Sequence, residues 1–302
     1  MRLRSIAGSA LTVAVLGIGT RPVLAESMPA PDQGKLTATG GVSQVEGAGG
    51  GGLTPWALIS GYGSRDSYGG NLHYTYLETQ DYSLGTYGIA VGFFDRVEVS
   101  FANQEFKGTD KALNGVKIKQ DIVGLKVKVA GDAVYDQDSL MPQIAIGAQY
   151  KRNTGISGLE GLGVHKTTDL GAKDNQGTDY YISATKLFLA QRLLANGTVR
   201  FTKANQFGLL GFGGDKKDSY QAKFEGSLAF LVTRQIAVGA EYRAKPRNLS
   251  IDEEKNAYDL FVAWFPTKNV SLTAAYVDLG DIVKPFNRTK QTGPYLSLQV
   301  GF

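Results

Sequence analysis

From residue 71 to the end, the chain alternates apolar positions with small or polar ones. Leu72, Tyr74 and Tyr76 alternate with His73 and Thr75. Tyr87, Ile89, Val91 and Phe93 alternate with Thr86, Gly88, Ala90 and Gly92, and the final ten residues repeat the pattern through Leu296, Leu298, Val300 and Phe302. A period of two is that of a β-strand with two unlike faces. Val116, Ile118 and Ile122 stand opposite Lys117, Lys119 and Asp121, whereas Leu125, Val127 and Val129 take the other parity. That slip predicts a bulge near Val123 and Gly124. A further strand is predicted at 56–62, and less regular ones at 178–188 and 195–204. No stretch keeps a helical period, and after the N-terminal leader no window approaches 18 consecutive apolar residues. The fold class is all-β. Thirteen strands count back from the C-terminus, and a weak segment at 35–46 makes fourteen; twelve result if two weak stretches are loops. An even number suits a bacterial barrel.

The links carry a second regularity. Short ones at 94–96, 189–194, 232–234 and 266–269 alternate with long ones at 107–113, 152–177, 205–218, 245–254 and 279–292. Short turns at one rim and long loops at the other mark an up-and-down transmembrane barrel. The links 63–70 and 131–141 are longer than their place at the short rim predicts.

Polarity along the strands reinforces this. The face with Leu, Ile, Val, Phe and Tyr reads as outward, and the opposite face holds nearly all strand charges, the reverse of a soluble barrel. Tyr62, Tyr74, Tyr150, Tyr180, Tyr220, Tyr242, Tyr258, Trp264 and Tyr276 fall near strand ends, where an aromatic girdle sits. The inward polar set is Lys126, Lys128, Gln149, Lys151, Arg200, Lys223, Glu225, Glu241 and Arg243. It lines a water path or, through cross-strand pairs such as Lys223–Glu241 and Glu225–Arg243, neutralises itself in a narrow lumen.

Composition narrows the function classes. The 302-residue chain has a formal charge of +4. Residues 1–25 hold Arg2, Arg4 and Arg21 and no acid, so the rest carries 29 basic against 28 acidic residues. Without a basic tract, nucleic acid is not an expected partner. A basic start, an apolar run over 6–18 and a Val23-Leu24-Ala25 cleavage site predict a secretory signal peptide at 1–25. A periplasmic lead-in at 26–34 and a barrel over 35–302 follow. The chain has no cysteine, so no disulfide contributes to its stability. The run from Gly47 to Gly52 fits G-x-G-x-x-G but lacks the helix that dinucleotide binding needs, and reads as a flexible turn.

Three stretches carry a family resemblance: residues 40–59, residues 91–100 (Val-Gly-Phe-Phe-Asp-Arg-Val-Glu-Val-Ser) and the terminal Phe302. They resemble a proteobacterial family of secreted proteins of unknown function grouped with outer-membrane β-barrels. The resemblance implies an outer-membrane barrel in contact with lipid and supplies no catalytic residues. Leu296, Leu298, Val300 and Phe302 resemble the closing-strand signal that the barrel-assembly machinery reads. The leading functional expectation is a porin-like channel for small solutes. The alternatives are a hydrophobic-substrate transporter whose glycine-rich N-terminal stretch is a plug, and a closed structural or adhesive barrel acting through its loops. No enzyme is expected: His73 lies low in the barrel, and His165 has no Ser or Asp partner at fixed spacing. Asp132, Asp136 and Asp138 crowd one turn without the Gly and closing Glu of a calcium loop, so neither cofactor nor metal is expected.

Overall fold

The structure, a computed structural model, describes residues 34–110, 113–282 and 290–302. The expected signal peptide lies outside the described residues. Twelve strands form: β1 (Tyr68–Glu78), β2 (Tyr82–Phe93), β3 (Val97–Gly108), β4 (Lys117–Ala130), β5 (Gln143–Ser157), β6 (Gln176–Phe188), β7 (Leu193–Thr202), β8 (Gln221–Leu231), β9 (Ile236–Arg243), β10 (Ala257–Trp264), β11 (Val270–Asp278) and β12 (Thr292–Gly301). Each pairs antiparallel with its neighbours in sequence, and β12 returns to β1 with Leu72 opposite Val300 and Tyr76 opposite Leu296. Closure leaves no free sheet edge. No helix among the described residues is long and apolar enough to cross a membrane.

The count is twelve rather than fourteen because the segments at 35–46 and 56–62 are not wall strands. Both lie inside the barrel, where their apolar residues meet an apolar inner wall. Their backbone groups bond each other and lumen side chains, so neither needs a place in the sheet.

The outer surface is an apolar band. Leu72, Ile89, Phe101, Leu125, Ile146, Ile182, Phe224, Leu260, Leu272, Leu296 and Leu298 all point out, while their strand neighbours are buried or half-buried. Tyr74, Tyr150, Tyr180, Tyr220, Tyr258 and Tyr276 are exposed on the outside, and Tyr180 packs on Tyr220 and Tyr242 on Tyr258. An outward apolar band around an interior that holds the buried charges of the strands defines a transmembrane barrel. Tyr62 departs from the expected girdle: it is wholly buried in the N-terminal segment.

β4 corrects the predicted bulge. Its alternation is unbroken, with Ile118, Gln120, Ile122, Gly124, Lys126 and Lys128 all buried inward. Its register shifts lie at Lys119/Gln120 and Lys128/Ala130, in the pairing with β5. Ile118 and Ile122 are apolar yet face inward: Ile118 joins the apolar core of the upper lumen, and Ile122 is fully buried. Lys117 and Lys119 face out, where Lys119 pairs with Glu105 near the long-loop rim.

The short rim carries the turns 94–96, 189–192, 232–235 and 265–269, with the longer 131–142 among them. The opposite rim carries 79–81, 109–116, 158–175, 203–220, 244–256 and 279–291.

Candidate functional site in the barrel lumen

Residues 34–67 fill the lumen as a plug inserted from the short rim. Lys35 anchors its start, bonding Asp95 of the 94–96 turn at 2.8 Å and the Ile59 carbonyl at 2.9 Å. Its far end returns to the same rim, where the Phe302 carbonyl accepts the Tyr62 and Gly70 N–H groups, each at 2.9 Å. Within the plug, Val45 N–H donates to the Gly52 carbonyl, Trp56 N–H to Gly49 and Gly61 N–H to Gly40. Lumen side chains satisfy much of the remainder. Glu98 accepts the Gly49 and Ser60 N–H groups, Glu241 that of Leu53, and Gln299 that of Ser43. The Pro55 carbonyl accepts from Ser183 and Thr198.

The glycines at the tip are positions of close approach, not of flexibility. Gly47 has φ +94°, which L side chains rarely adopt. A Cβ on Gly51 would stand 1.9 Å from Glu241 Oε1, and one on Gly49 would stand 2.5 Å from Ser60 Oγ.

A charged ring grips the plug at mid-lumen. Glu46 of the plug meets Lys151 Nζ at 2.5 Å, Arg243 at 3.0 Å and Arg200 at 3.7 Å. Asp179 meets Lys151 at 2.7 Å, and Glu225 meets Arg200 at 2.5 Å and Arg243 at 3.2 Å. Three cations thus face three carboxylates, and the plug supplies one of the three. Such a buried set is tolerable only while it stays balanced.

Two chambers flank the plug tip. The lower one has apolar walls of Trp56, Leu187, Leu194, Ala229, Phe261 and Phe265 and a free volume of about 50 Å³. It shares Thr37, Leu187 and Leu231 with a cleft at the short rim bordered by Leu36, Arg192 and Arg234. The upper chamber, smaller at about 30 Å³, is walled by Val45, Leu77, Leu84, Phe106, Phe207 and Leu209. Gly51 and Gly52 line the lower chamber and Leu53 the upper. Neighbouring residues of the plug tip thus face different chambers and form part of the partition.

The 203–220 loop roofs the upper chamber. The Phe207 ring lies 4.2 Å from the Arg243 guanidinium, and its carbonyl accepts Lys151 Nζ at 3.1 Å. Asn153 Nδ2 donates to the Leu209 carbonyl, and Glu254 accepts the Gln206 N–H at 2.7 Å. Gln206 and Phe207 both hold positive φ, a strained pair that these contacts keep in place.

Of the nine polar residues on the inward parity, eight are buried rather than open to a water path. Lys126 bonds Glu98 and the Gly49 and Leu58 carbonyls, and Lys128 bonds Asp95. Gln149 meets Arg200, and Glu241 holds Leu53, Thr54 and Ser227. Lys223 is half-buried on β8. Glu225 stands directly opposite Arg243, whereas Glu241 is opposite Ser227, so Lys223 and Glu241 are not partners across the pair. The sequence reading missed Glu46, Glu98 and Asp179, which complete these networks; inward parity on β3 and β6 marks the last two.

Leu296, Leu298 and Val300 face outward on the closing strand, and the Phe302 ring packs against Gly70. His73 is buried, and both its ring nitrogens lack hydrogen-bond partners among the described residues. Asp169 accepts the backbone N–H of His165. Asp132 accepts the Val134 and Tyr135 N–H groups and meets Lys128 at 3.7 Å, while the Asp136 carbonyl accepts Lys186. No metal-binding group of three occurs among the described residues.

Fold and lumen together define a twelve-stranded transmembrane barrel closed by its own N-terminal segment. The chain belongs to the family described as "Protein of unknown function (DUF3034)", whose model matches residues 39–299. Comparison with curated proteins gave no match. Among solved structures, the KdgM porin is 10% identical, with 77% of this chain and 99% of that one covered and a TM-score of 0.47. The NanC porin is 6% identical, covering 76% and 98% at 0.49. Outer membrane phospholipase A from Escherichia coli is 9% identical, covering 80% and 94% at 0.44. Likeness this distant assigns no activity to the chain.

Proposed function

We propose that this protein is an outer-membrane channel for small, mainly apolar molecules, closed at rest by residues 34–67. The observation that carries the reading is the pair of small apolar chambers that the plug tip faces, with Gly51 and Gly52 lining one and Leu53 the other. Apolar walls draw in apolar solutes and give little to a hydrated one. A porin-like water path would need polar groups free to replace the hydration of a passing solute. Here the inward charges hold the plug instead, and their interior becomes a pore lining only if the plug withdraws. On this reading the chain serves passage rather than a reaction, and the long loops need no ligand of their own.

Whole cells with and without the protein test this, using a small apolar fluorophore and a polar one of similar size. Faster entry of the apolar dye alone is expected, together with silent planar-bilayer recordings from the intact chain. Steady stepwise conductance with passage of sugars would overturn the apolar reading in favour of an open porin. No effect on either dye would leave a closed barrel acting through 158–175, and the transport reading would fall.

A further inference from the structure

The lower chamber is apolar along its walls but not at its inner end. Three buried polar atoms in its lining make no hydrogen bond of good geometry with any described residue: Asp259 Oδ1, beside Glu241, Thr273 Oγ1, and Tyr295 Oη, beside Thr75 and Ser297. Their side chains are 4%, 8% and 2% exposed. Unmet polar groups at such depth are rare, because each forfeits its hydration without replacement. Asp259, Tyr295 and Glu241 converge beside the partition: a Cβ on Gly52 would stand 3.3 Å from Glu241 Oε2 and from Tyr295 Oη and 3.4 Å from Asp259 Oδ2; Glu241 is already held by Leu53, Thr54 and Ser227. Thr273 lies nearer the short rim. It pairs with Ala263, four residues along β10 from Asp259, a span of roughly 13 Å.

We infer that the lower chamber is a binding site for a neutral, mainly apolar molecule with a single hydroxyl head, an alkylphenol or a medium-chain alcohol. The hydroxyl donates to Asp259 and accepts from Tyr295, and the apolar body lies along Phe261, Leu194 and Trp56. Thr273 serves a second polar atom on longer ligands. Thr273 stands about 13 Å along the wall from the head group, toward the short rim. A head without a donor would leave Asp259 unsatisfied, so the site selects for the hydroxyl as buried polar groups do. This assignment rests on the transport reading for its purpose and on the chamber's own atoms for its chemistry. The ligand would also end directly beneath Gly51 and Gly52, against the partition it must pass.

Trp56 provides the readout. It lines the chamber, with its indole N–H bonded to Ser227 Oγ at 2.9 Å. The only other tryptophan, Trp264, faces outward. The full chain carrying Trp264→Phe, held in lipid nanodiscs, is titrated with 4-bromophenol, bromobenzene and 4-bromobenzylamine, whose bromine quenches indole fluorescence. Saturable quenching by 4-bromophenol is expected, roughly tenfold stronger than by bromobenzene. Tyr295→Phe removes one hydroxyl without changing shape and should erase most of that difference; Asp259→Asn should also weaken the phenol. Equal quenching by phenol and bromobenzene, unchanged in Tyr295→Phe, would overturn hydroxyl recognition. Tighter binding of the amine would replace the neutral class with a cationic one. Linear, unsaturable quenching by all three would mean that no site exists. Cell uptake of apolar dye is measured separately, so a chamber without a ligand and a barrel without transport give different results.

Discussion

Glu46 is the smallest unit on which the closed state depends. Its carboxylate faces Lys151, Arg200 and Arg243, which retain only Asp179 and Glu225 if it is removed. Removing one partner from a buried charge set costs about 3–5 kcal/mol. Glu46→Gln should therefore leave the barrel folded and weaken the seating of the plug. Planar-bilayer recordings should change from silent to bursting, with far-ultraviolet circular dichroism unchanged. A second single-residue control lies at the lower mouth. Burial raises the Asp132 carboxyl, but the N–H groups of Tyr135 and Val134 and the Lys128 ammonium outweigh it and hold it below the ordinary value of 3.8. A lowered carboxylate stabilises its turn at pH above the unfolded value, and the contribution is lost as pH falls below about 4. The turn holds Ala133 and Val134 against Trp56 and Leu194. Trp56 emission in the Trp264→Phe chain should shift to the red on acidification, and Asp132→Asn should show the shift already at neutral pH.

At the scale of elements, wall and plug obey different rules, and this decides what the sequence can reveal. A lipid-facing strand needs every second residue apolar, so β1, β2, β8 and β12 are plain in the alternation. The plug faces no lipid. Residues 56–62 alternate well enough to pass for a strand, and 35–46 alternate weakly, yet both are surrounded by wall side chains far away in sequence. Gln299, Glu241 and Lys126 bond plug backbone across 256, 188 and 77 positions, and no local pattern encodes such pairings. Ile118 and Ile122 misled for a related reason: where the lumen is apolar, both faces of a strand look alike. The candidate lining was legible by parity; that its charges grip a plug was not. Deleting 36–60 tests the division directly. The barrel should still assemble and migrate as a heat-modifiable band, since the wall pairs β12 with β1 without help from the plug. Its lumen should then show stepwise conductance, shaped by the charges freed from Glu46, Gly49 and Leu53.

At the scale of the whole molecule, the outer band decides where the barrel can reside. Leu260 is the most exposed of its outward leucines, at 69%. A basic side chain facing lipid near the midplane costs about 2–4 kcal/mol. Leu260→Arg should lower stability in lipid vesicles by that amount in urea titration and barely change it in a short-chain detergent.

Both ends of the plug lie at one rim, the first at Asp95 and the last at Phe302. The segment is a loop pushed in, not a thread passed through, so mechanical withdrawal need not open the wall. Pulling on the N-terminus along the barrel axis should release a contour of roughly 110–120 Å at low force, the reach of 34 residues. A much higher rupture should follow when the strands themselves peel away. Relaxing the force between the two events should let the same loop reseat, so the barrel can open and reclose many times within one molecule's lifetime.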